Sequence, residues 1–186
     1  MASVKPNLIK LHELTFAPFL TEEEISKRVV QLGQELAHRM AGKDPSFIVM
    51  LRGAFIFAAD LVRASRLHGE ISFVRTSSYR GTETEGEVRM HLAPERESVE
   101  GKDVILIEDI VDSGLTMEAF IPVLKALEPA SITLVTLLHK PEAQRVDVKI
   151  DLVGFVIPPK FVVGYGLDYD GQGRHLPAIY GLVEDY

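Results

Sequence analysis

Short, uninterrupted runs of apolar residues alternate with helical patterns along most of this 186-residue sequence. The runs that have the length and composition of buried strands are 47–51, 71–76, 103–108, 131–138, 149–156 and a shorter one at 161–164. Such strands, separated by helices, are typical of a parallel sheet covered on both faces. We therefore predict an α/β fold with a central, mostly parallel twisted sheet, whose ligands bind beyond the carboxyl ends of the strands.

Three segments carry the helical pattern. Thr21 and Glu24 form a capping-box signature, after which apolar residues recur at helical spacing until Gly42. Further helices are predicted over 54–64 and 114–127. The loops at 51–53, 108–116 and 139–142 are then expected to share one edge of the sheet.

Composition limits the classes of function that remain. The length suits one domain over residues 1–186. The absence of cysteine excludes disulfides, thiolate zinc sites and a cysteine nucleophile. A net charge of −7 argues against nucleic-acid binding. No apolar run approaches the roughly 18 residues of a membrane span, and the N-terminus lacks the pattern of a signal peptide, so we expect a cytoplasmic protein without membrane contact.

The segment from 77 to 100 breaks the alternation. It is polar, contains glycine and has no long apolar run. A stretch of this length within a single domain is usually a functional lid, a hairpin or a disordered segment, and the residues alone do not choose among the three.

The turn from Asp112 to Thr116 connects a predicted strand to a predicted helix. Backbone N–H groups at such a turn point toward one spot and can bind an anion, with Ser113 and Thr116 adding hydroxyl donors. An ordinary N-cap that opens the helix accounts for the same residues, and the segment alone supports both interpretations equally.

Two acids, Glu108 and Asp109, come just before this turn. Carboxylates would repel a phosphate, but they accept hydrogen bonds from hydroxyls and bind Mg²⁺. A phosphorylated sugar satisfies both the acids and the turn. The pair therefore favours a sugar-phosphate site.

The stretch VILIEDIVDSGLTM at 104–117 resembles the 5-phosphoribosyl-1-pyrophosphate signature of the type I phosphoribosyltransferases. Leu51-Arg52-Gly53, Ser77-Ser78-Tyr79 and the stretch 160–169 followed by Arg174 resemble the hypoxanthine-guanine branch of that family. The resemblance implies the type I phosphoribosyltransferase fold, with a mobile lid loop at about 77–100. It also implies a small base-binding hood built from the N-terminal segment and about 157–186.

The resemblance also implies a role for each matching residue. Glu108 and Asp109 would bind the ribose hydroxyls, and Asp112 would exchange a proton with purine N7. The other implied roles are 5′-phosphate binding by Ser113, Gly114, Leu115 and Thr116, pyrophosphate binding by Arg52, Gly53 and Arg174, closure over the site by Ser78 and Tyr79, purine binding by Lys140, Phe161 and Val162, and Mg²⁺ coordination by Asp168 with Glu108 and Asp109.

The implied activity is the condensation of hypoxanthine, and of guanine, with 5-phosphoribosyl-1-pyrophosphate. The products would be IMP or GMP and pyrophosphate, with Mg²⁺ as cofactor and a homodimer or homotetramer as the assembly. Arg52 and Leu115 stand where the branch often has lysine, so the two phosphate contacts differ from the family pattern.

Several of these residues, and the chain as a whole, also fit a second interpretation. Taken alone, Lys140 could be solvated, Phe161 could belong to the core, Asp168 could be a turn residue and Arg174 a loop cation. The chain as a whole could be a regulatory protein on the same fold, which senses a nucleotide or phosphoribosyl pyrophosphate and binds RNA or DNA. Such a protein is expected to carry a basic face or an additional domain, and this acidic sequence shows neither.

Overall fold

The computed structural model describes residues 8–78 and 88–183. In these residues the strands are β1 (Ile9–Leu11), β2 (Leu14–Leu20), β3 (Pro45–Leu51), β4 (Glu70–Ser78), β5 (Val88–Leu92), β6 (Asp103–Val111), β7 (Ser131–His139), β8 (Leu152–Val156), β9 (Val162–Val163) and β10 (Ile179–Leu182). The α-helices are α1 (Glu22–Arg39), α2 (Phe55–Ser65) and α3 (Leu115–Lys125), and short 3₁₀ helices occupy Arg96–Ser98 and Pro141–Ala143.

Six strands form the central sheet in the order β5-β4-β3-β6-β7-β8. All neighbouring pairs are parallel except β4 and β5, which pair antiparallel at one edge. The carboxyl ends of β3 and β6 lie side by side near the middle of this sheet. The loops that follow these two strands therefore meet, as the alternating pattern predicted.

Alternate residues of the central strands face two separate cores. Phe47 and Val49 pack with α1 and α2 on one face of the sheet. Ile48 and Met50 pack with α3 on the other face. Because both faces of these strands are covered, every position must be apolar, which accounts for the uninterrupted runs in the sequence.

A second, antiparallel sheet forms the hood, in the order β1-β2-β10-β9. Its small core contains the buried Leu11, Phe16 and Val163. The loop after β9 is tied to α2, because the hydroxyl of Tyr165 donates a hydrogen bond to Asp60 at 2.5 Å. Burial, together with this bond to the carboxylate, raises the pKa of Tyr165.

Several sequence predictions are confirmed and others are corrected. The capping box opens α1: the Glu24 amide donates to the Thr21 hydroxyl and the Thr21 amide donates to the Glu24 carboxylate. β6 continues to Val111 instead of ending at 108, so Asp109 lies within the strand together with Glu108. The strand predicted at 149–156 begins only at Leu152, and the carboxylate of Asp151 just before it accepts a hydrogen bond from the Leu134 amide at 3.0 Å.

The remaining corrections concern shorter elements. α3 covers 115–125 instead of 114–127, and the predicted strand at 161–164 is reduced to the two residues of β9. The strands β1, β2, β5 and β10 were not predicted. In the segment 77–100, the described parts include the antiparallel pairing of β4 with β5, and residues 79–87 lie outside the described residues. Nowhere in 8–78 or 88–183 is there a helix that is both long and apolar enough to cross a bilayer.

Candidate active site

A cavity of about 440 Å³ opens at the carboxyl ends of β3 and β6. It is bordered by three loops and by the end of β6, and the predicted site residues that line it are Arg52, Gly53, Glu108, Asp109, Asp112, Ser113, Gly114, Thr116, Asp168 and Arg174. The structure therefore brings together the residues predicted to bind ribose, phosphate, pyrophosphate and metal. Leu115, the first residue of α3, is not part of this lining.

The two acids at the end of β6 have different surroundings. Glu108 is only 8% exposed, and its Oε1 accepts the backbone N–H of Asp109 at 3.0 Å. The Oδ1 of Asp109 accepts the N–H of Ile110 at 2.8 Å. Burial, and secondly the charge of the neighbouring Asp109, raise the pKa of Glu108 well above its ordinary value.

Two glycines allow the loops of the site to pack directly on one another. A Cβ atom on Gly53 would lie 1.4 Å from Oδ2 of Asp109, and one on Gly166 would lie 2.1 Å from the carbonyl oxygen of Gly53. Any side chain at position 53 would therefore displace the acid. The peptide bond between Leu51 and Arg52, at the start of this turn, is cis.

The turn before α3 has the geometry of an anion site. Gly114 is the N-cap residue, with a φ of 82°, and has no side chain with which to cap the helix. Ser113 lies 3.5 Å, through its hydroxyl, from the amide of Leu115. Because Gly114 and Thr116 line the cavity, the positive end of α3 is available to an anion bound there.

Lys140 connects this turn to the next loop. Its side chain is buried, with the residue only 6% exposed, and its Nζ donates to Oδ2 of Asp112 at 2.9 Å. Asp112 is the partner that a buried ammonium requires, while the side chain of Asp112 itself is 49% exposed. Asp112 lines the cavity and Lys140 does not, so the buried ammonium lies directly behind a carboxylate that the cavity exposes.

Arg174 and Asp168 form a second ion pair, and both residues line the cavity. Arg174 bonds to Oδ1 of Asp168 at 2.7 Å and donates to the carbonyl oxygen of Gly166 at 2.7 Å. The other carboxylate oxygen of Asp168 accepts the N–H of Gly171 at 2.8 Å. These bonds hold both side chains in place before any ligand arrives.

The predicted base-binding residues Phe161 and Val162 lie on the hood. The ring of Phe161 is 43% exposed, whereas Val162 is buried in β9 and pairs with Gly181 of β10. Neither residue is part of the cavity lining described above. Of the two residues predicted to close over the site, Ser78 is the last residue of β4 and Tyr79 lies outside the described residues.

A family model for the phosphoribosyl transferase domain matches residues 20–170. The chain belongs to the phosphoribosyltransferase family. The hypoxanthine-guanine phosphoribosyltransferase of Bacillus subtilis is 44% identical over 161 residues, covering 86% of this chain and 89% of that protein. The hypoxanthine phosphoribosyltransferase of Escherichia coli K12 is 40% identical over 168 residues, covering 89% and 94%. These relatives confirm the resemblance to the hypoxanthine-guanine branch.

Solved structures agree with this assignment of the phosphoribosyltransferase. The hypoxanthine phosphoribosyltransferase of Trypanosoma cruzi in complex with the product IMP matches with a TM-score of 0.84 and 36% identity, covering 94% of this chain and 97% of that one. The enzyme of Staphylococcus aureus matches with a TM-score of 0.83 and 37% identity, covering 89% and 90%. The predicted type I phosphoribosyltransferase fold is confirmed.

The donor atoms of this phosphoribosyltransferase suit Mg²⁺ that arrives with a substrate. Glu108, Asp109 and Asp168 supply carboxylate oxygens to one cavity, and Mg²⁺ prefers oxygen ligands. Within the described ranges, no group of three or more acids or histidines is arranged to hold a metal. Mg²⁺ is usually bound by one or two carboxylates together with water and substrate phosphates, so the cavity fits such an ion without a dedicated protein cage.

Three residues next to the predicted base site were missed by the sequence reasoning. The hydroxyl of Tyr169 donates to the carboxylate of Glu13, and the ring of His12 lies 5.6 Å from that of Tyr169. Tyr169 falls within the stretch 160–169 that resembles the hypoxanthine-guanine branch. His12 and Glu13 form the turn between β1 and β2, and no sequence pattern connects that turn to a loop more than 150 residues later.

Proposed function

We propose that this phosphoribosyltransferase transfers a 5-phosphoribosyl group from its pyrophosphate to hypoxanthine, and also to guanine, yielding IMP or GMP and pyrophosphate. The observation that carries the proposal is the ion pair between Lys140 and Asp112 at the edge of the cavity. A site for the phosphorylated sugar alone has no use for a buried ammonium beside the phosphate-binding turn. A purine with a 6-oxo group and N7 supplies a partner for each member of the pair.

The sugar end of the substrate fits the acids and the turn. Glu108 and Asp109 accept hydrogen bonds from the 2′- and 3′-hydroxyls of the ribose, since carboxylates are acceptors only. The backbone amides of 113–116 and the hydroxyls of Ser113 and Thr116 hold the 5′-phosphate, with the helix dipole of α3 in support. The sugar is thereby fixed at both ends.

The base end accounts for a preference for 6-oxopurines. The ammonium of Lys140, already paired with Asp112, donates a further hydrogen bond to a 6-oxo group, whereas the 6-amino group of adenine is itself a donor and offers the ammonium no acceptor. Phe161 offers a ring for stacking, and the backbone at Val162 contacts the 2-position. Discrimination therefore resides mainly in one buried cation.

The reaction forms the bond between purine N9 and C1 of the ribose while the bond between C1 and the pyrophosphate oxygen breaks. The electron pair of the broken bond leaves with pyrophosphate, and the proton on N7 passes to the carboxylate of Asp112. The transition state resembles an oxocarbenium ion, as in glycoside cleavage. Arg52 and Arg174 stabilise the negative charge that grows on the leaving group.

Further parts of the proposal concern the metal and the lid. Mg²⁺ held by one or two of the acids Asp168, Glu108 and Asp109, together with the substrate phosphates, would neutralise part of the pyrophosphate charge. Ser78 and Tyr79 are proposed to close over the reacting centre and exclude water, which would otherwise hydrolyse the activated sugar. A homodimer or homotetramer and a cytoplasmic location stay predictions from the sequence.

An acceptor assay tests the function. The purified protein is incubated with 5-phosphoribosyl-1-pyrophosphate, Mg²⁺ and, separately, hypoxanthine, guanine, xanthine and adenine, and pyrophosphate release is followed with product identification. We expect hypoxanthine and guanine to be converted and adenine to be inactive. A chelator in a parallel reaction tests the metal requirement. If adenine were the sole good acceptor, the role proposed for Lys140 would be wrong.

A further inference from the structure

A chain of aromatic contacts supports the part of the hood that carries Phe161. The ring of Phe161 lies 5.8 Å from that of Tyr169, with the two planes at 84°. The buried ring of Phe16 lies beneath both, at 6.1 Å from Phe161 and 6.4 Å from Tyr169. Edge-to-face pairs have a preferred relative orientation. The plane of Tyr169 therefore influences the plane of Phe161.

Tyr169 is itself held by the turn between β1 and β2. Its hydroxyl donates a hydrogen bond to the carboxylate of Glu13, and the ring of His12 meets its ring at 79°. His12 Nε2 also lies 3.4 Å from the carbonyl oxygen of Asp170. The bond lowers the pKa of Glu13 and raises that of Tyr169, so donor and acceptor keep their states at neutral pH.

The exposure of Phe161 makes such support relevant to binding. Phe161 is 43% exposed as a residue, so protein neighbours leave a large part of its surface uncovered. A side chain that is ordered only when a ligand arrives reduces affinity, because the loss of rotamer freedom is then part of the binding free energy. Contacts that fix the ring in advance remove that loss.

We propose that Tyr169 is a positioning residue for the purine: Glu13 and His12 fix its ring, and its ring fixes that of Phe161 for stacking. The inference rests on the proposed function, since it presupposes a purine against Phe161. Glu13 is outside the cavity that is lined by the sugar-binding residues. Its influence is therefore directed at the base and not at the sugar pyrophosphate.

A double-mutant cycle tests this role. Tyr169→Phe removes the donor and keeps the ring, and Glu13→Ala removes the acceptor. For each single variant we expect the KM for hypoxanthine to rise about three- to fivefold, with the KM for 5-phosphoribosyl-1-pyrophosphate unchanged within about twofold. The double variant should be no worse than either single one, because both changes break the same bond.

Tyr180→Phe is the matched control. Tyr180 also packs on the hood core, from β10, and has no ring contact with Phe161. This control should leave both KM values unchanged. Additive effects in the double variant, or an equal rise of both KM values, would overturn the positioning role and leave a merely structural one.

Calorimetry with IMP separates this inference from the proposed function. IMP should bind the unaltered protein, and the two single variants should bind it about three- to fivefold more weakly. Failure of the unaltered protein to bind IMP would overturn the proposed function itself. Binding that is equally tight in all three proteins would overturn only the role of Tyr169.

Discussion

At the scale of single residues, Asp112 combines two tasks. It neutralises the buried ammonium of Lys140 and it presents an exposed carboxylate at the edge of the cavity. One carboxylate oxygen is bonded to Lys140, which leaves the second for the contact with purine N7 that we propose. The expectation for Asp112 came from the resemblance of the stretch 104–117 to the phosphoribosyltransferase signature. The ion pair itself, between residues 28 apart, is a product of the fold.

Asp112→Asn is predicted to separate chemistry from sugar binding. An amide cannot accept the N7 proton, and general-base residues typically contribute about 100-fold or more to the rate. We therefore expect kcat to fall by about that factor while the affinity for 5-phosphoribosyl-1-pyrophosphate, measured by calorimetry, changes little. Asp147→Asn, at an exposed acid, is the control and should retain activity. Equal losses of rate and sugar affinity would show that Asp112 acts mainly in maintaining the architecture.

At the scale of elements, the site depends on the close approach of three loops. The turn after β3 lies against the end of β6, and the loop after β9 lies against that turn. Side chains are excluded from both contacts, at Gly53 and Gly166. The strand pattern predicted that the loops at 51–53 and 108–116 share an edge, but the third loop that it predicted there, 139–142, does not line the cavity, and the loop after β9 does. It could not predict their distance, since that is set by backbone packing between segments far apart in sequence.

Gly53→Ala is predicted to damage the site through Asp109. The new methyl group would overlap Oδ2 of that acid, so the carboxylate and the turn carrying Arg52 must move apart. A displacement of about 1 Å at a reacting centre can cost about 100-fold in rate. We expect a loss of that order in kcat/KM for 5-phosphoribosyl-1-pyrophosphate.

Gly42→Ala is the control for this prediction. Nothing lies within 4 Å of a Cβ atom there, and its φ of 74° makes alanine unfavourable by roughly 1 kcal/mol. The control should lose some stability and keep its activity. Normal sugar affinity in Gly53→Ala would contradict the role given to the contact with Asp109.

At the scale of the whole molecule, the site reduces the stability of the fold. Glu108 is buried within the central sheet, next to a second acid, and burial raises its pKa. Below the ordinary pKa of 4.5 the group is largely protonated in both the folded and the unfolded chain. As pH rises above that value, Glu108 loses its proton in the unfolded chain but keeps it in the folded chain. The free energy of unfolding therefore falls with rising pH until the raised pKa of the folded state is passed.

Glu108→Gln is therefore predicted to stabilise the protein and to weaken its function. At neutral pH we expect the free energy of unfolding to rise by on the order of 1 kcal/mol, or a Tm higher by about 2–4 °C. The gain should vanish at pH values below 4.5. The affinity for the sugar pyrophosphate should fall, because the amide replaces an acceptor-only group.

Thermal unfolding over a pH series, with calorimetry of the sugar pyrophosphate, measures both effects of this change. Glu97→Gln, at an exposed acid, should change neither quantity. A Tm gain for Glu108→Gln that is the same at every pH would show that ionisation is not its cause.

The sequence by itself determined the central α/β sheet, its mostly parallel character and two of the loops that line the cavity, 51–53 and 108–116. The reason is that fully buried strands must be apolar at every position and helices must show one apolar face, and both patterns are local. Tertiary structure alone decided the contact of Gly53 with Asp109, the ion pair of Lys140 with Asp112 and the support of Tyr169 by Glu13. Each of these contacts joins segments that are far apart in the chain. It therefore depends on tertiary packing, and no local sequence pattern predicts it.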